Sequence, residues 1–329
     1  MSAEPQGTNL ESPASMVKKE KAMSWRNPFK RLLDNPVILK ELRGRMRGRQ
    51  AFILLTLYLA LIAVLIGVIY LFVAEQASSM GWDPSLRQTV GKVIFAAVVL
   101  LELLLVSFIG PGLTAGAITA ERERQTFDLL RTTLLPASSL VLGKLGSAFT
   151  YLFLLILTAL PIQSLAFLLG GVGIGEMVVA SIMLVVTALF FCALGIFFSS
   201  YMKRTLTATV TSYGAILGSF LLIVIVIFLM AYIDTLTYSN NNVIGPVVEY
   251  LLSILTWFLI SINPFLAAIF TEVILVEEQS LFFTTQVIPF RNSGPVFLPS
   301  PWLLYTGIYL IITGLMIILT ISKVNRPDR

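Results

Sequence analysis

The chain has 329 residues, of which 57% are hydrophobic and 12% charged, with 23 Lys and Arg against 18 Asp and Glu, one Cys and no His. Soluble domains carry about 25% charged residues, so the polar surface that a water-soluble globule needs is missing, and a mean hydropathy of +0.87 marks an integral membrane protein. The lack of His excludes Ser-His-Asp and Cys-His catalysis, His-ligated metal sites and His-based pH switching, and Cys192, with no second Cys for a disulfide, reads as a small buried hydrophobe.

In chain order, residues 1–23 are polar and aperiodic and read as a disordered cytoplasmic tail. No long apolar run followed by a small-residue cleavage site occurs in the first 50 residues, so no cleavable signal peptide is expected. Residues 24–50 follow, with Asn27-Pro28 and Asn35-Pro36 as helix starts, Asn capping and Pro at the first helical position. Leu39, Leu42 and Met46 fall on one face, while Lys40, Arg43 and Arg47 repeat the spacing on another. This pattern predicts a basic amphipathic helix in the inner headgroup layer, the alternative being an ordinary basic flank.

A membrane helix needs about 20 predominantly apolar residues. Six stretches qualify: Ala51 to Ala74, Val93 to Leu113, about Leu145 to Leu169 with Pro161 inside it, Met177 to Ser199, Thr207 to Ile233, and Trp302 to Ser322. They form a single transmembrane domain over 51–322, followed by a short cytoplasmic tail over 323–329. Between the fifth and sixth lies an apolar stretch, about 247–276, broken by Asn263-Pro264 and carrying Glu249 and Glu272.

Basic residues set the orientation. The first 50 residues hold eleven of them, and alternation of six spans puts the 116–144 loop, the 200–206 loop and the tail on the same side. Twenty of the 23 basic residues then lie inside, and Arg87, Lys92 and Arg291 outside. The count works only if 247–276 does not cross, so it reads as a re-entrant hairpin from the outer side with Asn263-Pro264 near its turn. A true seventh span is the alternative.

The loop between spans two and three carries most of the information. It runs from Gly110-Pro-Gly through Glu121-Arg-Glu123-Arg124-Gln-Thr126-Phe127-Asp128 to Arg131 and Pro136. On one helix over about 117–135, Glu121, Arg124, Asp128 and Arg131 alternate acid and base along one face, with Phe127, Leu130 and Leu134 as an apolar ridge beside it. It reads either as a solvated helix held by its own ion pairs or as a docking surface for a cytoplasmic partner.

Ala-Gly-Ala-Ile-Thr-Ala-Glu121-Arg-Glu123-Arg-Gln-Thr126-Phe-Asp-Leu-Leu, followed by Thr132-Thr133-Leu-Leu-Pro136 and Gly143-Lys144-Leu145, resembles the permease subunits of type-2 ATP-binding cassette exporters. Asn35-Pro36-Val-Ile-Leu-Lys40-Glu41-Leu-Arg43 is similar to the interfacial helix of that family, and Ile262-Asn263-Pro264-Phe265 resembles its outer re-entrant element. The resemblance covers about residues 27 to 322. It implies an all-α membrane fold of six spans, with an amphipathic N-terminal interfacial helix, a coupling helix between spans two and three, and a re-entrant hairpin before the last span. It also implies that Glu121, Glu123, Arg124, Thr126, Phe127 and Asp128 seat in a groove of a separate ATPase subunit. Many relatives in the family have Gly where this chain has Gln125. No Gly-x4-Gly-Lys-Ser/Thr loop occurs, so the chain itself is expected to bind no ATP and to catalyse no hydrolysis, with ATP and Mg held by the partner ATPase.

Glu102 lies near the middle of span two, where an acid costs about 2.5–3.5 kcal/mol on insertion scales. With no other acid at comparable depth, it reads as a hydrogen-bonded structural or subunit-interface group in preference to a transport residue. The expectation is therefore a multi-pass permease in the cell membrane, paired with itself or a related permease, driven by P-loop ATPases, in contact with lipid and not with nucleic acid, and exporting a substrate that the sequence leaves unnamed. The competing classes are a membrane-embedded lipid or glycan transferase, for which only the scattered outer acids Glu249, Glu272, Glu277 and Glu278 are on offer, and a secondary transporter, which calls for internal symmetry and intramembrane ionisable groups.

Overall fold

The computed structural model describes residues 41, 43–44, 48–80, 84–126, 136–239, 246–278, 280–284 and 297–325. The expected tail over 1–23, nearly all of the interfacial helix over 24–50 with Lys40 and Arg47, the residues Phe127 and Asp128, and Arg326 and Arg329 lie outside them; Arg43 is exposed.

Among the described residues the chain is almost wholly helical. The helices are α1 (Arg49–Met80), α2 (Pro84–Thr114), α3 (Thr119–Glu123), α4 (Ala137–Leu168), α5 (Ile174–Tyr201), α6 (Thr205–Ser239), α7 (Pro246–Ile262), α8 (Pro264–Glu277) and α9 (Pro301–Asn325). A strand pair, β1 (Phe283–Thr284) and β2 (Leu298–Pro299), runs antiparallel before α9. Six helices, α1, α2, α4, α5, α6 and α9, are long and apolar enough to cross a membrane, which makes this a multi-pass membrane protein. Each coincides with one of the predicted apolar stretches. Most run beyond it, α2 back to Pro84 and α4 back to Ala137, because backbone hydrogen bonding continues where the side chains turn polar.

α5 is the central helix: its most apolar window is 67% buried, against 11% for α1 and 17% for α6. Small residues let α2 approach it closely, as is common where helices associate in lipid. A Cβ on Gly195 would lie 2.1 Å from Thr114 Oγ1 and 3.1 Å from the Cα of Pro111, and one on Gly110 would lie 3.1 Å from the Phe191 Cβ. On its other flank α5 meets α9, where the hydroxyls of Thr187 and Tyr305 lie 2.6 Å apart and the rings of Phe190 and Tyr309 pack at 4.2 Å.

Long-range contacts fix which helix ends lie together. Lys144 at the start of α4 meets Glu121, Ser199 at the end of α5 meets α3, Thr205 at the start of α6 meets Glu123, and Lys323 near the end of α9 lies 6.0 Å over the Tyr201 ring. The start of α1 joins them through Tyr151 Oη, which donates to the Ala51 carbonyl at 3.1 Å. At the other end, the Gly170-Gly171 turn after α4 presses on the start of α2, where a Cβ on Gly171 would lie 2.1 Å from the Gln88 carbonyl oxygen.

α7 and α8 form the bent pair expected at Asn263-Pro264. The break between Ile254–Ile262 and Pro264–Glu277 is 116°. Asn263 caps α8, its Oδ1 accepting from the N–H groups of Phe265 at 3.0 Å and Leu266 at 3.2 Å, with Pro264 in the first turn where no N–H is needed. Its Nδ2 donates to the Ser219 carbonyl at 2.7 Å, and Tyr309 Oη donates to the Ile262 carbonyl at 3.0 Å, so the turn is held between α6 and α9.

Candidate functional site

The site begins where α2 ends. After Thr114 the chain makes a tight turn and re-enters a helix for the five residues of α3. It stops there for a reason the spacing rules did not show. Gln125 has a φ of 57°, its N–H bonds to the Arg122 carbonyl at 3.0 Å, and the Thr126 N–H bonds to the Glu121 carbonyl at 3.0 Å. This is a Schellman stop, the arrangement in which Gly is most at home. Of the helix expected over about 117–135, the described residues form one turn of helix, Thr119–Glu123, that stops at Gln125; Asp128 and Arg131 of the acid–base face lie outside the described residues.

The charges of α3 turn instead to neighbouring elements. Lys144, buried at the start of α4, donates to Glu121 Oε1 at 2.7 Å and to Glu41 Oε1 at 3.2 Å. Arg122 Nη1 donates to the carbonyls of Ser200 at 3.0 Å and Met202 at 3.2 Å, placing a cation on the last turn of α5. Glu123 accepts from the Thr205 N–H at 2.7 Å and the Thr205 hydroxyl at 2.9 Å, placing an anion at the start of α6. Ser199 Oγ accepts from the N–H groups of Ile118 at 2.9 Å and Thr119 at 3.1 Å. α3 is thus tied to α4 through Lys144, to α5 through Arg122 and Ser199, and to α6 through the exposed Glu123–Thr205 pair; loss of Ser199 would leave the buried N–H groups of Ile118 and Thr119 unpaired. Arg124, Gln125 and Thr126 are exposed beyond it, with the Thr126 hydroxyl turned back to the Glu121 carbonyl at 3.2 Å.

Of the residues singled out from sequence, Glu121, Glu123, Arg124 and Thr126 gather here, and Arg43 lies two positions from Glu41. Glu102 is elsewhere, fully buried at mid-span, where Gln163 Nε2 of α4 donates to its Oε2 at 2.8 Å. Asn263 and Pro264 belong to the α7–α8 turn. Sequence reasoning missed Lys144 as the hub, Ser199 as the acceptor for two backbone donors, and Gln163. A lysine at the mouth of a span and a glutamine inside one were the signals available.

Among the described residues no group of three or more His, Cys, Asp or Glu side chains is placed to hold a metal ion. The arrangement is suited to transmitting displacement: four helix ends share one short, rigidly tied segment whose far side is open. A scan of the chain against protein-family models finds no match, and a search of the curated proteins finds none either.

Proposed function

We propose that the chain is the membrane-spanning permease subunit of an ATP-driven transporter of the type-2 cassette class, acting in export. One observation carries the reading. Three of the sequence blocks that resemble that class, around Glu41, around Glu121 to Thr126, and at Gly143-Lys144, lie apart in the chain and meet at Lys144. α3 is the core of the coupling element, α7 and α8 form the outer re-entrant hairpin, and the end of the bundle bearing Glu121 faces the cytoplasm of the cell. A separate pair of P-loop ATPases binds ATP and Mg and closes against Arg124 to Asp128, and a second permease, a copy or a relative, completes the translocation path. Force on the exposed side of α3 then passes to α4 through Lys144, to α5 through Arg122 and Ser199, and to α6 through Glu123. A two-state partner thereby biases a two-state bundle.

The test is purification of the tagged protein from its native membranes in mild detergent, with mass spectrometry of what accompanies it, alongside an Arg124→Glu, Phe127→Ala double variant. A P-loop ATPase is expected with the wild type and not with a folded double variant. Preparations that keep the chain intact yet contain no ATPase would overturn the reading.

A further inference from the structure

At the opposite end of the bundle α2, α5 and α8 enclose a space that the coupling reading does not use. A crevice of about 480 Å3 opens between Gln88 and Lys92 of α2, the Gly170 to Gly173 turn and Glu176 of α5. Further along α2, past Phe95 and Val99, a smaller cavity of about 40 Å3 is closed by Val179 and Met183 of α5 and by Thr271 and Glu272 of α8. Glu176 and Leu275 line both, so the crevice and the cavity adjoin.

The cavity walls are apolar apart from three acceptors. Thr271 is only 2% exposed, and its Oγ1 has no hydrogen-bond partner; the same holds for Glu272 Oε1. Both atoms are buried, and leaving them so is costly. Several buried or half-buried helical threonines return the hydroxyl to the carbonyl four residues back, as Thr187, Thr306 and Thr320 do; Thr271, like Thr313, does not. Glu176 gives one carboxylate oxygen, Oε2, to the Gly173 N–H at 3.1 Å, leaving Oε1 as the third acceptor. The charged groups that act on Glu272 are Glu176 and, with the opposite sign, Lys92. Among the described residues no ion pair joins Lys92 to either acid.

Two buried acceptors without a donor, a further carboxylate beside them and a small apolar chamber define the guest. We propose that this cavity binds a primary ammonium group, its three N–H donors taken by Glu272, Thr271 and Glu176, and its carbon chain leaving through the crevice past Lys92. A volume of about 40 Å3 holds two or three water-sized groups. It admits an ammonium head, whereas a quaternary ammonium has no N–H donor to offer the acceptors. The ammonium comes either from a free amine or from the headgroup of an aminophospholipid.

The proposal is tested on the chain alone, so it fails or stands apart from the ATPase reading. The purified protein in nanodiscs of phosphatidylcholine, a lipid with no primary amine, is unfolded thermally with methylammonium chloride or with tetramethylammonium chloride at equal ionic strength. Methylammonium is expected to raise the midpoint in a saturable way and tetramethylammonium not to. The apparent affinity for methylammonium is expected to fall by about tenfold or more in Glu272→Gln and measurably in Thr271→Val, a near-isosteric change that keeps the cavity closed. An equal response to both cations, no response to methylammonium, or unaltered affinity in both variants overturns the proposal. So does binding strengthened in Lys92→Ala, because Lys92 would then be the resident ammonium. With phosphatidylethanolamine added to the discs, native mass spectrometry separates the sources. Retention of that lipid by the wild type and its loss from Glu272→Gln assign the headgroup, and a methylammonium response without lipid retention assigns a free amine.

Discussion

Gln125 holds a left-handed backbone at a φ of 57°, a conformation that brings a Cβ against the following carbonyl and that glycine alone adopts freely. With Gln at this position the stop is made at some local cost. Replacing Gln125 by Gly is expected to stabilise the protein by about 0.5–1 kcal/mol, and Gln125→Val to destabilise it, read as opposite shifts of the thermal unfolding midpoint in micelles. Glu121 and Glu123 were legible in the sequence as important, and their partners were not. Spacing rules couple residues three or four apart, whereas Glu121 finds Lys144 at a separation of 23 and Lys144 finds Glu41 at 103.

Among elements, the six long helices were legible because an unbroken apolar run of span length has few other uses. The length of α3 was not, since a Schellman stop without Gly leaves little trace in the residue types. The α7–α8 break was legible from Asn263-Pro264, a pair in which Asn caps and Pro fits only a first turn. What the sequence withheld is that Asn263 works in both directions, accepting from α8 and donating to the Ser219 carbonyl of α6. Asn263→Ala removes the cap and the bond to the Ser219 carbonyl. It is expected to cost about 1–2 kcal/mol and to lower the unfolding midpoint, and Asn263→Asp, which keeps the accepting oxygen but turns a buried carboxylate oxygen against the Ser219 carbonyl, to cost no less.

For the whole molecule, the helix ends sort into two groups, and this is accessible to labelling. Cys192 is buried and is the chain's single cysteine, so a Cys192→Ala background is free of native thiols. Cysteines placed singly at Gln88, Arg124 and Glu277, all exposed, are expected to react with a membrane-impermeant maleimide from opposite sides: Gln88 and Glu277 from one, Arg124 from the other. Reaction of Glu277→Cys from the Arg124 side would make α7 and α8 a crossing and remove the basis for a hairpin. Charge bias favours the hairpin, but it counts residues in loops and is blind to where a broken helix turns.

The place of α5 at the centre of the bundle also bears on how the chain is made. One flank of α5 rests on α2, which precedes it out of the ribosome, and the other rests on α9, which comes last. Through the synthesis of α6, α7 and α8, the surface around Met183, Thr187 and Phe190 waits for Tyr305 and Tyr309. Thr187 can wait in hydrocarbon without penalty, because its hydroxyl already donates to the Met183 carbonyl of its own helix at 2.6 Å. Tyr305 then arrives to a hydroxyl that can accept, and the last helix is docked by a bond whose other half was satisfied from the start.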